Sequence, residues 1–332
     1  MTTEQGSLQT SVARGVFDDK GHLSETGLKI FRAFKEILLT SKALPDNRIA
    51  KIIEEKSSPS SIPLEDFNAL AQDKFKRPSG LERYELKKFN EQFVKYDTPK
   101  VRAAFKELGN LDAVHPSQQH YDYILVNGST VPNMRERVMM LNDLVTQKKI
   151  DISKSQIIFL SGDRDLFPWE NQKKLMDTKP YKTNASWKAP QDLPKNEYEA
   201  AKFVWAQLDL DPALQKAQVV YVNAPKPLGK AGKLIKKARP STFDTVATWL
   251  KTSPKPGSCL VISSNPHVAY QGLTTQLAFE KNNINPKDFP IEAVGSSAGA
   301  DVKLAVLLDD FARTIYTQVQ REKLYAERGK KA

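Results

Sequence analysis

Five short apolar runs stand along the second two thirds of the chain, and a helical pattern follows most of them. Tyr123-Ile124-Leu125-Val126 ends in Asn127-Gly128-Ser129-Thr130. Val138, Met139, Leu141, Leu144 and Val145 then fall on one broad helical face before Ile157-Ile158-Phe159-Leu160 ends in Ser161-Gly162-Asp163. Two apolar runs around an amphipathic helix make a βαβ unit, with parallel strands joined by a right-handed crossover. The pattern continues through Val219 to Val222, Leu260 to Ile262 and Ile291 to Val294. Helices are expected from Asn196, through Val246, Trp249 and Leu250 with an entry over 240–245, over 268–280 and over about 301–327. Strands alternating with helices predict an α/β, Rossmann-like doubly wound, mainly parallel sheet.

Residues 1–118 read differently. Apolar positions recur at helical spacing, as in Leu28, Ile30, Phe31, Phe34, Ile37 and Leu38, and again in Leu64, Phe67, Leu70 and Phe75. Ser79 is expected to cap a helix carrying Leu81, Tyr84, Leu86, Phe89 and Phe93; Thr98-Pro99 opens another, which Gly109 ends. The domains are therefore expected at 1–118, a helical extension, and 119–332, the α/β domain with its long C-terminal helix. The polar stretch that follows Trp169 and runs to Leu193 is expected to be a lid or insertion.

Composition narrows the chemistry. With 50 Lys and Arg against 39 Asp and Glu, the formal net charge is +11. The excess is spread along the chain and densest from Lys226 to Arg239, which suits ordinary surface charge with anion binding in one loop. The single cysteine, Cys259, rules out an intrachain disulfide and a Cys-based metal centre. No apolar run approaches the roughly 20 residues that cross a bilayer. Residues 1–15 lack the apolar core of a secretory signal, so a cytoplasmic protein is expected. There is no Walker A pattern and no G-x-G-x-x-G, which removes the usual nucleotide fingerprints.

In an open α/β sheet, ligands bind outside the carboxyl ends of the strands. The candidate site is read there. Asn127, Gly128 and Ser129 offer backbone N–H groups at a helix start, a natural anion site, or else form a plain turn. Ser161 and Gly162 allow close approach of a ligand. Asp163, Glu197 and His267 are the candidate catalytic groups: the two acids suit ribose hydroxyls, a metal or a general base, His267 suits an acid, a base or a donor to phosphate, and Glu197 or Asp163 with His267 is the expected acid–base pair. For Glu197 the competing explanation is a charge complementing a helix N-terminus. Thr242, Asp244, Ser264 and Asn265 complete the candidate ligand set. Of Arg135 and Arg137, one is expected to face the crevice and the other the solvent. No cofactor is identified.

Four blocks in order resemble the YdcF-like, SanA-like and ElyC-like bacterial domain of unknown function. They are Ile124 to Ser129, Ile157 to Gly162, Asn196 to Ala200, and Val261 to His267, with Ser241 to Thr245 lying between the last two. The resemblance covers about 121–298 and implies a Rossmann-like fold. Asp163 stands where the family usually has a second glycine, and Asp244 near an expected Asn or Glu. The family's chemistry is largely unassigned, so the resemblance brings little function with it.

Three function classes follow. The first is binding, with or without turnover, of a small anionic or nucleoside-type ligand in the crevice. The second is a protein-interaction or regulatory module in which residues 1–118 contact a partner. The third is a hydrolase on Ser297 of Gly295-Ser296-Ser297-Ala298-Gly299, against which stands the absence of any later histidine. Membrane association is not expected, and nucleic-acid binding is the weakest reading.

Overall fold

The computed structural model describes residues 13, 15–54, 56–78, 80–82, 85–228 and 239–329. The expected Ser79 cap, Tyr84, and Lys230, Lys233, Lys236 and Lys237 of the basic loop lie outside the described residues. In chain order the helices of the first third are α1 (Glu25–Ala33), α2 (Lys35–Leu38), α3 (Asp46–Ile53), α4 (Leu64–Lys74), α5 (Lys87–Glu91) and α6 (Pro99–Glu107). Then follow β1 (Tyr123–Asn127), α7 (Val131–Thr146), β2 (Gln156–Gly162), α8 (Gln172–Met176), α9 (Glu197–Gln207), α10 (Pro212–Lys216) and β3 (Val219–Ala224). The chain closes with α11 (Thr242–Leu250), β4 (Cys259–Ser264), α12 (Val268–Lys281), β5 (Ile291–Ser296) and α13 (Leu304–Gly329).

Contacts divide the chain into two compact units. One comprises 1–113, 265–273 and 297–332; the other comprises 114–264 and 274–296.

The helical unit holds an aromatic core. Phe31 of α1 lies 5.0 Å from Phe67, 5.4 Å from Phe75 and 5.7 Å from Phe311, ring centre to ring centre. Phe34 meets Phe75, Phe93 and Tyr96. The sequence pattern attaches the last helix to the sheet domain, whereas by its contacts α13 belongs here. It packs on α4, and Gln72 Nε2 donates to Ala312 O at 2.9 Å. Its apolar stripe fits the first third's aromatic residues as well as it would fit a sheet, which is why periodicity alone could not place it.

The sheet unit contains all five strands, parallel throughout, in the order β3-β2-β1-β4-β5. This is an α/β fold of the Rossmann-like, doubly wound kind. Central strands covered on both faces read as continuous apolar runs, and the structure shows why. Ile124, Val126, Ile157, Phe159, Leu260 and Ile262 share a core with α7 and α9. The alternate residue Tyr123 packs 5.2 Å from Trp249 of α11, which in turn lies 5.9 Å from Phe279 of α12. The outer edge of β5 is covered: Val114 N donates to Gly295 O at 2.8 Å and Gly295 N returns a bond at 3.1 Å. Ser117 and Tyr121 hold the same edge through Glu292.

The stretch expected as a lid is sewn down. Arg135 donates to Lys174 O and Leu175 O, Gln207 Nε2 donates to Leu175 O, and Trp187 packs edge-on against Phe203. Among the described residues no helix is long and apolar enough to cross a membrane.

Candidate functional site

The strand order reverses between β1 and β4, and the carboxyl ends there form the switch point of the sheet. Arg137 spans that point. It rises from α7, is 1 % exposed, and its Nη1 donates to Asn127 O at 2.9 Å and Gly128 O at 2.7 Å. Its Nη2 reaches Ser264 Oγ at 3.4 Å. Asn127 Nδ2 donates across the same gap to Ile262 O at 3.5 Å. Arg135 is buried as well, so neither arginine is the solvated one that the sequence suggests. Arg135 instead clamps Gln207 and the α8 carbonyls.

Gly128 follows β1 in a tight space. Its N–H donates to Leu160 O at 2.7 Å. A Cβ there would stand 2.7 Å from that oxygen and 2.3 Å from Glu197 Oε1, so no other residue fits without movement. The carboxylate lying over Gly128 is therefore a neighbour supplied by α9.

Arg164, just past β2, organises the rim. Its Nε donates to Glu197 Oε2 at 2.7 Å, Nη1 to Glu170 Oε2 at 2.8 Å, and Nη2 to Ser129 O at 3.0 Å. Its guanidinium also covers the Phe167 ring at 4.6 Å. Glu170, with a side chain 0 % exposed, accepts three bonds. Oε1 takes the Val131 N–H at 2.8 Å; Oε2 takes the Phe167 N–H at 2.9 Å as well as Arg164.

Glu197 is held differently. Its backbone N–H donates to Arg164 O at 2.8 Å, and Asn196 caps the helix by accepting from Glu199 N. The cap thus falls to Asn196 and leaves the Glu197 side chain to lie over Gly128. That side chain is 12 % exposed. Oε2 is anchored by Arg164, whereas Oε1 makes no hydrogen bond among the described residues. Burial raises its pKa above the ordinary glutamate range, against the opposing pull of Arg164, Arg239 and Arg137.

The remaining candidates are spent on local structure or stand elsewhere. Asp163 is half-buried, and its N–H bonds Ala224 O at 2.8 Å. Ser161 Oγ donates to Val222 O at 2.7 Å. Gly162 leaves room for Pro240, whose Cγ a Cβ would meet at 2.7 Å. Thr242 is the first residue of α11, where Ser241 and Asp244 form a capping box; the Asp244 carboxylate accepts the Ser241 N–H at 2.7 Å. Ser264 accepts from Arg137.

Asn265 and His267 belong to the helical unit. There Asn265 Nδ2 donates to Gly109 O and Asp112 O, and His267 Nδ1 lies 2.6 Å from Asp310 Oδ2. Next to Asp310, Asp309 accepts from Arg313 Nε at 3.0 Å and Arg77 N at 3.1 Å. Both aspartates are 0 % exposed. Ser297 is exposed, and α13 starts only at Leu304, too far on for the tight strand-turn-helix of a nucleophile elbow.

Sequence reasoning missed Glu170 and the role of Arg164. The available signal was an arginine and a glutamate six residues apart in the otherwise mostly apolar stretch Arg164-Asp165-Leu166-Phe167-Pro168-Trp169-Glu170. Among the described residues no three His, Cys, Asp or Glu side chains are grouped to hold a metal ion. Comparison of the chain with protein-family models, with curated proteins and with solved structures found no match.

Proposed function

We propose that the sheet unit binds a small nucleoside-type or anionic ligand in the crevice at the carboxyl ends of β1, β2 and β4. The observation that carries this reading is Glu197 Oε1, a rim carboxylate oxygen whose partner atom is fixed by Arg164 and which itself has no hydrogen-bond donor among the described residues. Buried or half-buried carboxylates normally collect every donor within reach. A carboxylate with one oxygen anchored and one open suits a pair of vicinal hydroxyls or an amine, as a ribose or a base edge presents. Arg137 and Arg239 supply positive charge for an anionic part of the ligand. The strand ends at Asn127 and Gly162 and the helix start at Glu197, which carry the resemblance to the YdcF-like domain, stand on this rim and support membership of that family as part of the same proposal. A cytoplasmic setting suits a chain whose one cysteine is buried and whose thiol is made less acidic by burial.

Titration calorimetry of the full chain with adenosine and its analogues tests the reading. Glu197→Ala is expected to weaken binding about tenfold to a hundredfold, the scale of a hydrogen bond to a charged group. Equal affinity in wild type and variant would sink the assignment. A ligand at about 100 times its Kd should also stabilise the wild-type fold by about 2.7 kcal/mol in thermal unfolding.

A further inference from the structure

In a dinucleotide-binding sheet of this strand order, the turn after β1 delivers the next helix N-terminus to a phosphate. Here that terminus is already engaged. The Gly128 N–H is spent on Leu160 O and the Val131 N–H on Glu170 Oε1. Pro132 has no N–H, and the Met134 N–H goes to Thr130 O at 2.8 Å. The occupant is a full negative charge, buried and locked in place by Arg164 and the Phe167 N–H. Over Gly128, where a pyrophosphate would approach the backbone, stands a second carboxylate, Glu197. A phosphate entering this turn would meet two carboxylates, both already paired with Arg164, and find the Gly128 and Val131 donors taken.

We infer that Glu170 is a specificity determinant: it closes the β1–α7 turn to phosphate, so that the crevice accepts a nucleoside-type ligand bearing no phosphate at that turn. The inference rests on the ligand reading above but is tested separately from it. Residue-resolved amide NMR of the full-length wild-type protein is recorded with sodium pyrophosphate, with adenosine and with adenosine diphosphate. Millimolar pyrophosphate should leave the amides of Gly128 to Met134 in place, and the diphosphate should bind no more tightly than adenosine.

In Glu170→Gln the side-chain oxygen can still cap Val131 but the charge is gone. The affinity for the diphosphate relative to adenosine should rise about tenfold, the scale of a charge at a partly buried helix end. Movement of the Gly128 to Met134 amides by pyrophosphate in the wild type overturns the inference, as does a folded Glu170→Gln protein with an unchanged ratio. If the variant does not fold, the wild-type titration decides alone. Failure of adenosine to bind would count against the nucleoside reading and leave the pyrophosphate result to judge the turn.

Discussion

Two clusters of buried charge invite comparison. In the helical unit, Asp309 and Asp310 sit side by side on α13, each fully buried, one paired with Arg313 and the other with His267. In the sheet unit, Arg164 lies between Glu170 and Glu197. Three of these four carboxylates are closed by the protein itself. Glu197 alone of the four is engaged through one oxygen and, among the described residues, has the other open. A buried charge that is fully paired contributes order and a unique packing. One kept half-satisfied costs stability without evident structural return, and such sites are where function is sought. By that criterion the His267–Asp310 pair, the most catalytic-looking pair by residue type, reads as structural, while the pair with no histidine is the one we propose as the ligand site.

The largest effect should come from the closed cluster. Asp310→Ala leaves His267 without its partner and is expected to cost about 3–5 kcal/mol, read by urea unfolding. Adenosine affinity, measured where the variant is still folded, should not change; a parallel loss of binding would erase the distinction between the clusters. Next comes Gly128→Ala. The new Cβ collides with backbone Leu160 O and with Glu197, so a loss of about 1–3 kcal/mol is expected together with weaker ligand binding. A stable variant with normal affinity would show that Glu197 does not need its place over Gly128.

The smallest effect has a distinctive sign. Burial raises the Glu197 pKa in the folded state above that in the unfolded chain. The native state therefore holds this proton more tightly, and the group favours folding most below the ordinary glutamate range. That contribution is lost as pH rises through the folded pKa. Glu197→Gln, an isostere of the protonated form, should thus melt slightly higher than wild type at neutral pH and no higher at acidic pH, although it binds ligand less well. A lower Tm at neutral pH would mean that the carboxylate is held mainly for stability.

Much of the fold was legible because every strand is a short apolar run bounded by small polar residues. The five runs begin and end within two residues of the observed strands. Asp244 was expected as a ligand group; its carboxylate instead closes a capping box with Ser241, a role that its spacing of three from a serine at a helix start could have signalled. Glu170 was hidden for a physical reason. Its burial depends on partners 39, 6 and 3 positions away, and nothing local distinguishes it from a solvated loop glutamate. Arg137 was ambiguous because helical spacing gives a face, not the reach of a long side chain back to the preceding strand end. His267 looked well placed by position alone; its pairing with Asp310, 43 residues later, could not be read from spacing.

The two-way hydrogen bonding of Val114 to Gly295 has a bearing on solubility. An uncovered parallel edge recruits strands from other molecules and seeds aggregation. Val114, with Ser117 and Tyr121 gripping Glu292, acts as a built-in guard for β5. Proteolysis between 113 and 121 would leave the strand-end rim chemically intact but turn the sheet adhesive. The first sign of such nicking would accordingly be turbidity, before any measurable decline in ligand affinity.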